Sequence, residues 1–328
     1  MLHRSNVSDV MALFGRDGLK AAPILRPHLG MHHNGLLRKD EWLELDRVVL
    51  ETAKTELNGV QDLISLGLTK RLGGLGSKVS AYEQIGEMTA ATVSMSVDVP
   101  GEKDRLEYTM VNVPIPVIFK DFAFDLRDLS AARQSGDPLE TDHVAAATRV
   151  VTEGMETMLF AGSTVQLGGY IIYGYTTHPN RIQSTAAALG GGDWGTPGNA
   201  YKTIQGALNS LRALGFRGPF MVYAAATQYG QTLNYMDLTN TQSEKAAILR
   251  NMPEVRDIKP SFELTASHVV VAQMTSNVVD LAVGFALAPI SWVEMGGMIT
   301  QYRVMTALAP RVKADASARC GVVHITAA

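Results

Sequence analysis

The sequence has little cysteine, little charge and no long uninterrupted apolar run, and each shortage removes a class of function. Cys320 is the single cysteine among 328 residues. An internal disulfide cannot form, which excludes a disulfide-framed secreted scaffold and a cysteine-rich metal cluster and predicts an intracellular setting. Charged residues make up 19% of the chain, against about 25% in typical soluble domains. Lys and Arg number 29 against 32 Asp and Glu, a formal net charge of −3. Gripping nucleic acid through global basicity is therefore disfavoured, because neutralising phosphates needs a cationic surface; local basic patches stay open. The apolar stretch over 278–292 is broken by Asp280 and Pro289, and residues 1–5 lack the apolar core of a secretory signal, so no membrane partner is expected. Hydrophobic residues make up 46%, and the length suffices for a sizeable core in about two domains, or in one core split by a long excursion. Low charge beside that content implies apolar surface that association covers.

No catalytic or metal-binding signature emerges. His32 and His33 are adjacent, with no third ligand at helical spacing. Were their segment helical, Asp121, Asp125 and Asp128 would share one side, a conceivable cation site, yet helix-start acids and solvated turns account for them. There is no Gly-x-Ser-x-Gly elbow. The glycine-rich run over 71–78 lacks the Gly-Lys-Ser/Thr ending of a phosphate loop and reads as a hinge. Cys320 sits in an apolar strand-like run beside Gly321, Val322 and Val323 and is expected to be a buried, inert thiol. His324, on the face of Val322, is expected to pack or hydrogen-bond. The 15 methionines, Met295 and Met298 among them, suit irregular core filling or an adaptable binding surface. No enzyme assignment, cofactor or metal follows.

Residues 1–40 carry six basic residues, Arg4, Arg16, Lys20, Arg26, Arg38 and Lys39, against Asp9, Asp17 and Asp40. This is an extended, mildly basic arm, either loosely ordered or interacting. Trp42, Leu45, Val49, Ala53 and Leu57 recur at three- and four-residue spacing and predict a helix that Asn58-Gly59 stops. Over 92–99, Thr92, Ser94, Ser96 and Asp98 alternate with Val93, Met95, Val97 and Val99, the period of a strand with one wet and one apolar face. A charged turn at 100–105 leads to Leu106, Tyr108 and Met110 alternating with Glu107 and Thr109, completing a long hairpin with a polar tip. A lone hairpin is marginal in water, so its apolar face needs cover from the same chain or from a neighbouring subunit.

Pro114 and Pro116 favour an edge or irregular strand over 111–124. Asp137 and Pro138 suit the start of an amphipathic helix of about 24 residues, roughly 36 Å long. Val144, Ala147, Val151, Met155 and Met158 fall on one side, and Gly162 is placed to end it. Residues 165–176 read as short strands, and the glycine-rich stretch 185–199 as a loop and domain junction. Asn199 is placed to cap a helix through Ile204, Ala207, Leu208 and Leu211, and 220–225 reads as a buried strand. Thr241 and Glu244 have capping-box spacing before another short helix. Later strand candidates are 268–274, 278–286, 302–308 and 320–325. Helices and strands mix without regular alternation, which favours an α+β class.

The segment Pro114, Ile115, Pro116, Val117, Ile118, Phe119, Lys120, Asp121, Phe122, running on to Leu126, Arg127, Asp128 and Leu129, is similar to the strand and turn before the spine helix of encapsulin-like capsid proteins. Asn234 to Leu238, Asp257 to Pro260, and Arg311 to Asp315 ahead of Gly321 to Ile325 resemble the apical region of the same group and its return. With the order of arm, hairpin, strut helix and separate α+β unit, the chain resembles the Hong Kong 97-type shell fold of tailed-phage major capsid proteins and encapsulin nanocompartments. The resemblance implies an N-terminal arm and helix at 1–70 and an extended loop at 71–112. It further implies a peripheral domain with a long spine helix at 113–194 and 301–328, and an apical domain at 195–300.

It also implies a major capsid protein that assembles with itself, as hexamers and pentamers, into an icosahedral phage head around double-stranded DNA. The protein would then be a virion component, assembled in the host cytoplasm, with portal, scaffold or decoration proteins as further partners. Val93, Met95, Val97, Val99, Leu106, Tyr108 and Met110 would form the intersubunit face of the hairpin. Arg4, Arg16, Lys20 and Arg26 would meet packaged phosphates by sequence-independent contacts. The alternative under the same resemblance is an encapsulin shell enclosing a cargo enzyme, with residues 40–58 as the peptide-docking helix. An ordinary soluble enzyme would instead form a small oligomer.

Overall fold

The computed structural model describes residues 39–86, positions 88, 91, 93 and 95, and residues 108–127, 142–237 and 240–328. Arg4, Arg16, Lys20, Arg26, Val97, Val99 and Leu106 lie outside the described residues, as do Asp128 and the expected helix start at Asp137 and Pro138. Helix α1 (Lys39–Glu56) buries Leu45, Val49 and Ala53, with Leu57 just beyond it, and α2 (Gly59–Ser65) buries Val60, Leu63 and Ile64. Both pack on the spine helix α3 (Asp142–Ala161), whose 20 residues span about 30 Å. Its buried stripe contains Val144, Ala147, Val151, Met155 and Met158, as the periodicity predicts, while Arg149 pairs with Glu153 in solvent at 2.9 Å. Gly162 then leaves the helix at a φ of +79°, and a Cβ there would stand 2.3 Å from the Ile172 carbonyl oxygen. Both backbone conformation and space demand glycine.

In chain order the strands are β1 (Thr69–Arg71), β2 (Val79–Ile85), β3 (Tyr108–Pro114), β4 (Val117–Asp125), β5 (Ser163–Leu167), β6 (Tyr170–Ile172), β7 (Ile182–Thr185) and β8 (Phe220–Ala225). After these come β9 (Tyr235–Asp237), β10 (Asn240–Ser243), β11 (Val255–Ser261), β12 (Val269–Gln273), β13 (Val279–Glu294), β14 (Ile299–Val312) and β15 (Val322–Thr326). Helix α4 (Asn199–Ala213) precedes β8, α5 (Ala226–Thr232) follows it, and α6 (Glu244–Asn251) precedes β11. Among the described residues, one sheet has the order β1-β13-β14-β4 and another β11-β8-β12-β15-β7. Strands β13 and β14 form a long antiparallel hairpin turned at Met295–Gly297. Spine helix α3 covers β4 and β14, where Phe122 stacks on Tyr302 with ring centroids 5.2 Å apart and Phe124 meets it edge-on at 5.4 Å.

The second sheet divides two cores. Phe220, Val222 and Ala224 of β8 join Ile204, Leu208 and Leu211 of α4, whereas Met221, Tyr223 and Ala225 join the core under the spine. Burial on both faces turns the strand into a continuous apolar run, which is what makes 220–225 legible in the sequence.

Three expectations change. The hairpin ladder pairs β2 with β3, from Val79 opposite Pro114 to Ile85 opposite Tyr108, and the described positions Ala91, Val93 and Met95 are not in strand. Alternation over 92–99 marks two faces but carries no information about which segment pairs. Asp121 and Asp125 lie on β4, in keeping with the strand expected over 111–124, where Ile118, Phe122 and Phe124 turn inward at strand spacing. Strand β13, inside the span expected to be apical, pairs along its length with β14, whereas β15, expected to return to the peripheral unit, joins β12 and β7. No glycine- or proline-rich linker separates these segments, so the sequence marks no change of sheet. Finally, Ser243 rather than Thr241 caps α6, accepting the Ala246 N–H at 3.3 Å. Glu244 instead reaches the first turn of α4, accepting N–H groups of Gly198 at 2.7 Å and Tyr201 at 3.1 Å.

Candidate assembly surface

The β2–β3 hairpin is bonded to the body at its base by side chains. Arg311 of β14, buried, donates from Nη1 to Ser80 Oγ at 3.0 Å and to the Ala81 carbonyl at 3.3 Å. Its other guanidinium nitrogens hold Asp280 of β13 bidentately, Nε reaching Oδ1 at 2.6 Å and Nη2 meeting Oδ2. Lys313 Nζ completes the cluster, 2.7 Å from Asp280 Oδ2 and 2.6 Å from the Ser276 carbonyl. The Tyr82 hydroxyl donates to the Val312 carbonyl at 3.3 Å, and burial pushes its pKa up to about 12. Planar bidentate pairing gives direction as well as energy, so the cluster fixes how the hairpin leaves the sheet.

Beyond this base the apolar side chains lie open. Val93 and Met95 are 97% and 108% exposed, Met88 60%, and Tyr108 and Met110 58% and 59%. Val93, Met95, Tyr108 and Met110 were expected on one hairpin face; the structure leaves all four uncovered but puts only Tyr108 and Met110 on the ladder. A second uncovered ribbon, β5–β6, was missed as a surface. Its signal is the lack of any Asp, Glu, Lys or Arg between Glu156 and Arg181. By contrast, the apolar face of α1, considered as a peptide-docking face, is occupied by the chain's own spine helix: Leu45, Val49 and Ala53 are all in the core.

Where α2, α3 and the second sheet meet lies a buried polar junction. Glu156 accepts the amide N–H groups of Asn58 and Val60 at 2.9 Å each and of Gly59 at 3.2 Å. Burial nevertheless pushes its pKa up to about 7. Asp62 accepts from Lys259 at 2.5 Å and from the Tyr223 hydroxyl at 3.0 Å, and burial raises it above the usual carboxylate range despite these partners. Cys320 is buried, its thiol pushed up to about 12 by burial. His324 accepts from Arg181 Nε on Nδ1 at 3.3 Å and shares a proton position with His268 at 3.0 Å; burial, with His268 and Arg181 beside it, depresses its pKa to about 4. Both groups therefore pack and bond, as expected. Among the described residues no cluster of three or more His, Cys, Asp or Glu is placed to hold a metal ion, and no helix is long and apolar enough to cross a membrane.

A family model described as a family of unknown function (DUF6260) matches residues 32–325. The chain belongs to that family. This DUF6260 chain is 26% identical over 285 residues to the Type 1 encapsulin shell protein EncA of Myxococcus xanthus, covering 86% of the chain and 92% of the relative. It is 25% identical over 196 residues to a diheme-cytochrome-encapsulin shell fusion protein of Kuenenia stuttgartiensis, of which it spans 49%. Among solved structures, the capsid of Myoviridae phage XM1 superposes with a TM-score of 0.61 at 16% identity, over 83% of this chain and 93% of that one. The virus-like particle of Pyrococcus furiosus gives 0.58 at 14% identity, over 87% and 98%. The fold of the DUF6260 chain is thus the Hong Kong 97-type shell fold, α+β in class.

Proposed function

We propose that this protein is a structural shell subunit, the major capsid protein of a tailed-phage head that assembles with itself into an icosahedral container for double-stranded DNA. The observation that carries the reading is the apolar ribbon left open on a Hong Kong 97-type fold: Met88, Val93, Met95, Tyr108 and Met110 are exposed, with no cover among the described residues. The sequence alternation extends the proposed seam through Val97, Val99 and Leu106. Interfaces of about 1,200–2,000 Å² each, repeated around hexamers and pentamers, close a shell by symmetry without any one contact being strong. In this reading the long sheet and spine form the peripheral body, and the second sheet with α4 to α6 the apical body. Arg4, Arg16, Lys20 and Arg26 are assigned to sequence-independent contacts with packaged phosphates. The protein is placed in the virion after assembly in the host cytoplasm, with portal, scaffold or decoration proteins joining the same shell. Its role is structural, with no catalytic step.

One observation favours a second reading, an encapsulin shell enclosing a cargo enzyme: the 26% identity over 86% of the chain to an encapsulin shell protein. The occupied apolar face of α1 weakens it, since that face was its proposed cargo dock. Electron microscopy of particles purified from their source, with nucleic-acid content measured after nuclease treatment, separates the readings. The capsid reading expects closed shells protecting double-stranded DNA. Uniformly small, DNA-free shells carrying a bound protein would overturn it in favour of the second reading, and a small discrete oligomer would overturn both.

A further inference from the structure

The β5–β6 hairpin stands apart from the rest of the surface in composition and exposure. Gly168 and Gly169 turn it with φ of 61° and 83°, the two-residue geometry that matches strand twist. Every residue from Thr164 to Ile171 is exposed. Val165, Leu167, Tyr170, Ile171 and Tyr173 are 37–53% open, while Ile172 is buried at 1% and anchors the strand. A two-stranded ribbon wet on both faces is marginal by itself, yet this one carries large apolar side chains where charge would ordinarily stand.

The partner's chemistry follows from what the ribbon lacks. With no charged residue between Glu156 and Arg181, it offers nothing to phosphates or to a charged peptide. Its five open side chains present roughly 400 Å² of apolar surface, at the size where patches on single chains are often functional. Strand β6 also packs against β3, which ties the base of this ribbon to the base of the first. The ribbon's roughly 400 Å² is about half of the roughly 800 Å² per partner of a standard interface, the size of one contact among the several that a shell subunit makes with its copies. We infer that the β5–β6 hairpin is a second intersubunit seam, covered in the assembled particle by another copy of this chain. The inference rests on the shell reading above and adds to it a contact surface separate from the β2–β3 ribbon. A head-to-tail arrangement, in which this surface meets a different patch of the next copy, would generate rings of subunits.

Hydroxyl-radical footprinting tests the seam in particles assembled from this chain alone, against the same chain disassembled. Residues 165–173 are expected to become protected on assembly. Equal labelling in both states would overturn the inference, including the case in which another protein is the true occupant. In parallel, Leu167→Asp and Tyr170→Asp place a charge at exposed positions and are expected to weaken each contact by at least about tenfold. Folded subunits that no longer close into particles support the seam, and particles at wild-type yield overturn it. Should a variant misfold, the footprint of the wild-type chain still decides. Failure of the wild-type chain to form particles sinks the shell reading itself, whereas particles with an unprotected hairpin sink only this seam.

Discussion

Replacing Glu156 with glutamine removes one buried charge while keeping the shape of the junction between α2 and α3. The native carboxylate receives three amide N–H groups, and burial moves its pKa from 4.5 to about 7. Because the folded-state value lies above the unfolded one, the native state binds more protons between these two values, and stability falls as pH rises through that window. At about 1.4 kcal/mol per pH unit, the displacement amounts to about 3 kcal/mol, present in acid and lost by roughly pH 7. Glutamine does not titrate, and the titratable groups facing Glu156, namely Asp62, Tyr175 and Tyr223, together with Lys259 paired to Asp62, are common to both proteins. Denaturant unfolding of unassembled subunits from about pH 5 to about pH 8 should therefore show wild type losing about 3 kcal/mol relative to Glu156→Gln. Parallel profiles, or a drift of opposite sign, would refute the reasoning: the three N–H bonds would then outweigh burial and hold the carboxylate in its ordinary range.

Other perturbations follow the same logic. Arg311→Met leaves Asp280 buried with Lys313 as its remaining cation, and should cost about 3 kcal/mol in denaturant unfolding; the change should also raise hydrogen exchange at Ser80 and Ala81. Gly162→Ala combines a positive φ with a 2.3 Å approach to the Ile172 carbonyl and should destabilise by at least about 1–3 kcal/mol, read as a lower melting temperature. Cys320, buried with a pKa near 12, should react with a thiol-specific reagent at neutral pH only after unfolding.

Much of the body was legible because local patterns suffice for it. The stripe from Val144 to Met158, the stop at Gly162 and the apolar run over 220–225 each encode their element in fewer than 20 consecutive residues. What escaped depends on partners far apart in sequence. Arg311 and Ser80 are 231 residues apart and Glu244 and Gly198 46 apart, so neither the hairpin base nor the α4 cap has a local signature. Pairing register suffered likewise: the clear alternation over 92–99 drew the hairpin toward itself, whereas β2, with Glu83 and Gln84 interrupting its apolar positions, takes the ladder. The candidate surface was half legible. Periodicity and low charge exposed the need for cover, but only the three-dimensional exposure of Val165 to Tyr173 distinguishes a surface ribbon from a buried pair of strands.

In the proposed shell one copy of this chain is unfinished, and neighbours close its open ribbon. Sedimentation of the purified 328-residue chain beside its Met95→Asp variant tests this, since Met95 is fully exposed and outside the core formed by the described residues. Wild-type material should sediment as closed particles of megadalton size and the variant as folded subunits or small assemblies built from 35.4 kDa chains. A wild-type chain that stays monomeric, or a variant that closes shells as readily as wild type, would contradict it.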